Sequence, residues 1–465
     1  MCVTEKNEKV TYDGLLEKVL SDDNIEKALK QVVGNRGAAG VDGMSVYELG
    51  DWLPANIEML RDKIRAGKYK PSPVRRVEIP KPDGGVRNLG VPTVIDRLLQ
   101  QAVAQVLTPI YENKFSEYSF GFRPNRNAQD AVRMARQYYD EGYHFVVDID
   151  LSKYFDTINH DGLMQLIRRD IKDKPLLELI KRFLKSGVVM PDGLSVRTEE
   201  GSPQGGNLSP LLANIYLHEF DTELERRGHK FVRYADDVNI YVRSIRAAER
   251  VMGSAKAFLE GRTMRLKVNE EKSSVGSPTE LKFLGFRLRE RKDGKAAITM
   301  HDKPVTKFKD RIRQITKRNR GRSIEQILSE LRTYERGWMN YFGLGEVRDS
   351  FAKLDKWVRR KVRTYLLKQW KRTYSKYKAM RKVGYEHKPE GLSDTAWNGQ
   401  LWKVAKTQSP WRASGLSNQL LPNKYLHDDL GMYFLTDDWE KVQVRCLNRP
   451  LPNGTMGGVR GRLTE

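Results

Sequence analysis

Residues 231–243 read FVRYADDVNIYVR, and residues 144–156 read HFVVDIDLSKYFD. The first stretch is apolar on both sides of Tyr234-Ala235-Asp236-Asp237, so it reads as strand, tight turn, strand with two adjacent acids at the turn. The second opens as a buried strand over 144–151 and carries Asp150 six residues before Asp156. Two adjacent acids in an isolated turn are ordinary turn residues. Here apolar strands flank them, so the acids project from a sheet that has to pack on helices. Carboxylates clustered in this way repel one another. A divalent metal is the usual counter-charge, and hard oxygen ligands suit Mg²⁺. Two such ions about 3.5–4 Å apart activate an attacking hydroxyl and stabilise a leaving phosphate oxygen.

The rest of the chain points to a polyanionic partner. Of 465 residues, 83 are Lys or Arg and 60 are Asp or Glu, a net charge of +23, with 39% hydrophobic. This length suggests two to four domains at roughly 100–200 residues each. No apolar run reaches the ~18–20 residues needed to cross a bilayer, and MCVTEKNEKV has no apolar secretory core. Cys2 and Cys446 are the only cysteines, which excludes a disulfide framework or Cys-pair zinc site and suits a reducing, cytoplasmic compartment. The charge is uneven. Residues 301–385 hold 25 Lys/Arg against 8 Asp/Glu, a net of +17, while 386–465 net +1. A basic segment of this density is expected to neutralise phosphates. Its Tyr334, Trp338, Tyr341 and Phe342 recur on one helix face and read as core.

Outward from the acids, residues 22–34 read as a helix with Ile25, Ala28, Leu29, Val32 and Val33 inward. Residues 74–90 read as a hairpin closed by KPDGG, and Pro92 is expected to open a helix. Ser209 is expected as N-cap, with Pro210 at the first position of the next helix. Beyond 302 the pattern is mostly helical, and the Gly/Arg/Pro-rich stretch 448–465 is expected to be mobile.

DLSKYFD, then SPQGGNLSP, then RYADD, in that order, resemble the palm of a reverse transcriptase. VDGMS, IPKPDGGVRNLGVPTVIDRLLQQA, FGFRPNR, NEEKS, LKFLGF and RGWMNYF extend the resemblance, in order, to proteins encoded by bacterial group II introns. The resemblance implies an α+β right-hand polymerase: fingers, a palm with an antiparallel sheet, an α-helical thumb or maturase domain, and a small C-terminal domain. It maps an RNA-touching N-terminal extension to 1–45, fingers to 46–125, palm to 126–300, thumb to 301–385 and a candidate DNA-binding domain to 386–465.

Residue by residue, the resemblance implies that Asp150, Asp236 and Asp237 hold two Mg²⁺ ions. Asp148 lies on the same strand face, but the six-residue spacing to Phe-Asp selects Asp150. Lys272 would be the general acid toward pyrophosphate. Lys81 and Arg87 would grip the dNTP triphosphate, Gln204 would approach the nucleotide, and Phe155 would exclude a ribose 2′-OH. Arg123 would contact the template backbone. Lys307, Lys309, Arg313 and Lys361 would lie on nucleic acid, since A-form RNA is read mainly by shape and backbone.

Many relatives end in a His/Cys nuclease, but residues 386–465 hold only His387, His427 and Cys446 of those types, so no endonuclease is expected and the compact class C type is resembled most. Trp397, Trp402, Trp411 and Trp439 suggest a small folded core there. The implied function is an RNA-directed DNA polymerase that is also a splicing maturase. Its partners would be intron RNA, an RNA template–DNA primer duplex, target DNA and dNTPs, in a bacterial, nucleoid-associated ribonucleoprotein. The alternatives are a domesticated reverse transcriptase in repair or phage defence, and an RNA-binding splicing cofactor without polymerase activity.

Overall fold

The computed structural model describes residues 12–80, 84–196, 199–202, 205–384, 388, 390–406 and 421–447. The chain divides into two compact units between Ser277 and Pro278.

The first unit opens with helices. The expected helix is Asp22–Gly34, with Ile25, Ala28 and Val32 buried. Val46–Arg65 follows, started by a reciprocal capping box between Ser45 and Glu48. The hairpin is strands β1 (Val74–Pro80) and β2 (Val86–Val91), paired from Arg75↔Val91 to Pro80↔Val86. Short strands β4 (Val188–Val189) and β5 (Ser195–Val196) extend it to a sheet of order β2-β1-β4-β5. The next helix begins at Val94, not at Pro92, because the Thr93 hydroxyl caps it by accepting from Asp96 N at 3.2 Å.

The second sheet has the order β6-β7-β3-β8, with every neighbouring pair antiparallel. Its strands are β3 (Phe145–Ile149), β6 (Lys230–Tyr234), β7 (Asp237–Val242) and β8 (Ser274–Gly276). Alternation sorts its two faces. Val147, Ile149, Val238 and Ile240 join the main apolar core with Leu212, Ile215, Phe220 and Val251. Asp148, Asp237, Asn239 and Tyr241 take the other face. The helix Ser209–Arg226 is capped by Leu208 without a side-chain bond, not by Ser209. The buried Ser209 hydroxyl instead accepts from Ser202 Oγ at 2.7 Å, which ties the preceding loop to the helix.

The second unit carries the hairpin β9 (Phe286–Glu290) and β10 (Ala296–Met300) and is otherwise helical. Helices Asp302–Ile315, Ile324–Phe342 and Arg348–Gln369 build its core. Of the expected aromatic face, Trp338 packs at 4.4 Å from Phe308 and 5.7 Å from Phe351, with Tyr334 and Phe342 alongside. Tyr341 departs from it: the ring is exposed, and its hydroxyl donates to Leu284 O at 3.0 Å.

The C-terminal tryptophans do not share one small core. Trp439 packs on the same cluster as Trp338, together with Leu421, Leu426, Phe434 and Val442. Trp397 is fully buried in a separate cluster with Met380, Leu401 and Val404, and Trp402 is exposed. Their helices place them in different clusters, which a count of tryptophans does not reveal. Trp411, Cys2, His387 and residues 448–465 lie outside the described residues. Among the described residues no helix is long and apolar enough to cross a membrane.

Candidate active site

Tyr234 and Asp237 are a register pair, so Ala235 and Asp236 form a two-residue turn between β6 and β7. Ala235 sits at φ 58°, the position where such turns ordinarily take glycine. The turn is held from several sides. Arg233 and Asp221 both have fully buried side chains. Arg233 Nε and Nη2 donate to the two oxygens of Asp221 at 2.7 and 2.6 Å, and Nη1 donates to Asn214 Oδ1 at 2.9 Å and to Ala235 O at 3.0 Å. Asn214 Nδ2 donates to Gly121 O at 2.9 Å. A Cβ on Gly121 would stand 2.2 Å from Ala235 N, so only glycine permits this approach. A buried ionic network, satisfied on every side, thus fixes the carbonyl of the residue before Asp236 and makes the turn rigid.

Asp150 follows the end of β3, one residue beyond the Ile149↔Val238 pair, and so reaches the strand end where Asp237 begins β7. Its main chain is clasped by the NEEKS segment: Asp150 N donates to Ser273 Oγ at 3.0 Å, and Asn269 N donates to Asp150 O at 2.8 Å. That clasp brings exposed Lys272 into the same neighbourhood. Asp148 is engaged inside the sheet, where Asn239, its amide nitrogen turned toward the carboxylate, donates to Oδ1 at 2.7 Å.

Asp236 is half-buried and Asp237 exposed. Burial pushes the Asp236 pKa up. The turn's own backbone N–H opposes this, Asp150's negative charge adds to it, and Arg87 and Arg233 pull it back. The net direction is upward, and a cation bound beside it would favour the ionised form. Asp150 and Arg87 are close enough to be felt at Asp236, which places three of the expected site residues in one field. Among the described residues no three His, Cys, Asp or Glu side chains enclose a metal by themselves. Mg²⁺ is ordinarily held by one or two carboxylates with phosphates and waters completing its shell. Neighbouring aspartates of hard-oxygen chemistry therefore fit it.

Phe155 stands in the short helix Tyr154–Thr157 and is clamped at its backbone. Ser202 N donates to Phe155 O at 2.7 Å, and Gly201, at φ 86°, leaves room where a Cβ would come 2.8 Å from the same oxygen. His160 Nε2 lies 2.6 Å from Gly201 O and pins that loop; burial lowers the His160 pKa. Phe155 lines a cavity of about 270 Å³ with Arg76, Asn88, Gly90, Lys153 and Asp156. Arg76, Asn88 and Lys153 were not singled out from the sequence; the alternation that puts Arg76 and Asn88 on one hairpin face was the available signal. Lys81 and Gln204 lie outside the described residues.

Arg123 is a correction. Its side chain is buried, donating to Glu112 Oε1 at 2.7 Å, to Ser119 O at 2.9 Å and to Ser116 O. With its N–H groups spent inside the protein it is a strut beneath the Gly121 segment, not a surface contact for a template.

In the second unit, Arg313 and Lys361 lie over the Trp357 ring at 5.5 and 5.3 Å. Lys361's pKa is lowered by burial and then by Arg313, Arg318 and Arg360, so four cations crowd one spot. Asp310 partners Arg313 at 2.5 Å. Lys307 is exposed and Lys309 half-buried on the same helix as Arg313. Such a cluster suits phosphates.

Comparison with known proteins gives the family. The family described as "Reverse transcriptase (RNA-dependent DNA polymerase)" matches residues 79–288, and "Group II intron, maturase-specific domain" matches residues 305–384. Protein YkfC of Escherichia coli (strain K12) is 34% identical over 59% of this chain and 82% of its own length. The group II intron-encoded protein LtrA of Lactococcus lactis subsp. cremoris is 29% identical over 63% of this chain and 59% of its own length. A putative COX1/OXI3 intron 1 protein of Saccharomyces cerevisiae (strain ATCC 204508 / S288c) is 31% identical over 50% of this chain and 26% of its own length. The chain thus spans most of YkfC, somewhat less than two thirds of LtrA and about a quarter of the yeast protein.

Proposed function

Because the chain belongs to the reverse transcriptase family and carries a group II intron maturase-specific domain, we propose that Asp150, Asp236 and Asp237 form its polymerase centre and that it extends a DNA primer on intron RNA. It is an RNA-directed DNA polymerase of the group II intron type, and that family depends on a divalent metal. Mg²⁺ is the ion proposed here, two of them, on the chemistry of the donor set. The metal, when bound, supplies activation of the primer hydroxyl and charge neutralisation at the departing phosphate.

The chain's own residues do the rest. The β6–β7 turn presents Asp236 and Asp237 to the strand end that carries Asp150, and the Arg233–Asp221 pair keeps the turn from shifting. Arg87 and Lys81, on either side of the KPDGG stretch, would hold the triphosphate of the dNTP. Phe155 would exclude a 2′-OH, and Gln204 would approach the nucleotide. Lys272, on the loop that clasps Asp150, would deliver a proton to the pyrophosphate leaving group.

The maturase-specific domain implies intron RNA as a partner. Lys307, Lys309, Arg313 and Lys361 would hold that RNA or the template–primer duplex, and residues 386–465 would face target DNA. By role, residues 1–45, 46–125, 126–300 and 301–385 would act as extension, fingers, palm and thumb, in a nucleoid-associated cytoplasmic ribonucleoprotein. The observation that carries the polymerase reading is Asp150 and Asp236 sharing one electrostatic field at adjoining strand ends.

The test is primer extension on an RNA template with Mg²⁺, run in parallel with splicing of the group II intron RNA that encodes the chain. Asp236→Ala should abolish DNA synthesis and leave splicing intact. Retained synthesis would overturn the metal assignment. No synthesis by the folded wild type would leave an RNA-binding cofactor.

A further inference from the structure

Phe122 is at odds with its surroundings. It is a large apolar ring left 51% exposed, and its backbone sits at φ 59°, a region bulky side chains rarely occupy. Outliers of this kind persist only where the neighbouring structure over-determines them, and they gather at functional sites. Both neighbours here are fixed. Gly121 abuts the Ala235 backbone beside the paired aspartates, and Arg123 is locked to Glu112, Ser116 and Ser119. Between these two anchors the chain turns left-handed and throws the Phe122 ring outward.

The ring meets Phe155 edge-on, with centroids 6.3 Å apart and planes at 75°. Tyr154 holds Phe155 from its own helix, 5.4 Å away at 63°, and is itself fixed by donating its hydroxyl to Ala213 O at 2.6 Å. Phe155 is therefore clamped at its backbone by Ser202 and Gly201 and at its ring by Tyr154 and Phe122. Of these supports, Phe122 is the one that is exposed, tied directly to the aspartate turn, and set in a strained conformation.

We infer that Phe122 is a positioning residue for sugar selection: it buttresses the Phe155 ring against displacement by a ribose 2′-OH. This rests on the reading of Phe155 as the sugar gate. A gate rejects the larger sugar only if its ring cannot move aside, and an exposed aromatic without a brace swings readily between rotamers. The connection through Gly121 also sets the gate's position relative to Asp236, so that sugar and reacting phosphate are registered against one segment.

The test is single-nucleotide incorporation of dNTP and of the matching rNTP on an RNA template. The variants are Phe122→Ala, Phe122→Tyr, Phe155→Ala and the Phe122→Ala/Phe155→Ala pair. Phe122→Ala should lower the dNTP/rNTP ratio of kcat/KM roughly three- to tenfold, the range a single aromatic pair supplies, mainly by raising ribonucleotide incorporation. Phe122→Tyr, which keeps the ring, should hold the wild-type ratio. The double variant should match Phe155→Ala alone, because a buttress has nothing to act on once the gate is gone. If Phe155→Ala admits ribonucleotides while Phe122→Ala leaves the ratio unchanged, the buttress is wrong and the gate stands. An equal rise in KM for both sugars would make Phe122 a base-stacking platform and overturn the inference. If Phe155→Ala itself leaves the ratio unchanged, the gate reading falls and this inference falls with it.

Discussion

Asp221→Asn removes half of the fully buried pair beneath the aspartate turn while keeping the side chain's size. Arg233 cannot give up its proton. In the variant its guanidinium, with no exposed side-chain surface, loses a bidentate carboxylate at 2.6–2.7 Å and keeps only neutral acceptors, the new amide oxygen, Asn214 Oδ1 and Ala235 O, while an NH2 group faces it where the second carboxylate oxygen stood. Breaking one side of a buried ion pair costs about 3–5 kcal/mol, because the remaining charge stays desolvated. For a unit of this size each kcal/mol moves Tm by about 2–4 °C, so a fall of roughly 6–20 °C is expected in a thermal melt at fixed salt. The companion variant is Asp221→Leu with Arg233→Met. Replacing the whole pair by apolar residues is often neutral or stabilising, so its Tm should return close to wild type. Ala235 O would nevertheless have lost its donor, and primer extension should stay at least about tenfold low, since catalytic groups tolerate little misplacement. This separates holding the fold from holding the turn. A Tm shift under about 2 °C for Asp221→Asn would refute the buried-charge argument, and wild-type synthesis by the double variant would refute the anchoring role.

Glu335 gives a pH prediction. Its carboxylate is buried without a hydrogen-bond partner, and burial, then neighbouring Asp355, push its pKa well above the ordinary 4.5. A group that the fold holds neutral contributes stability below its unfolded pKa and loses it as pH rises toward the folded value, at about 1.4 kcal/mol per pH unit. In urea unfolding, Glu335→Gln should therefore gain on wild type steadily as pH climbs from 5 toward 7; a constant difference would show that Glu335 does not titrate across that window. Replacing Lys307, Lys309, Arg313 and Lys361 with glutamine should flatten the dependence of log K on log salt for RNA binding, by about 0.7–0.9 for every phosphate left without its cation. An unchanged slope would put the RNA surface elsewhere.

Some features could be read from residues alone because they rest on short-range rules. The apolar runs of 231–243 and 144–151 gave strands with Asp150, Asp236 and Asp237 at their ends, while the antiparallel sheet followed from the family resemblance. The 3.6-residue period of 22–34 gave the helix with its bounds. The uneven charge located the basic helical unit, and the ordered motifs identified the family without coordinates. Capping was less legible. Thr93 displaced Pro92 as the helix start, and the Ser209 hydroxyl pairs with Ser202 from inside the helix it was expected to cap. Side chains choose among partners that a linear pattern does not rank.

Which charged residues face inward emerged only from the folded chain. In sequence, Arg123 and Arg233 are two arginines in two motifs; in the fold both are buried struts, one beneath the Gly121 segment and one beneath the aspartate turn. Arg76, Asn88 and Lys153 come together around a cavity beside Phe155 from segments far apart in the chain. Phe122, which follows the Gly121 that presses against Ala235, meets Phe155. Residue order was enough for the inventory of chemistry and its local geometry, since propensity and periodicity act over a few residues. Burial and partnership belong to the fold, because Arg123 and Arg233 find their partners on neighbouring elements and the fit of Gly121 against Ala235 joins segments more than a hundred residues apart.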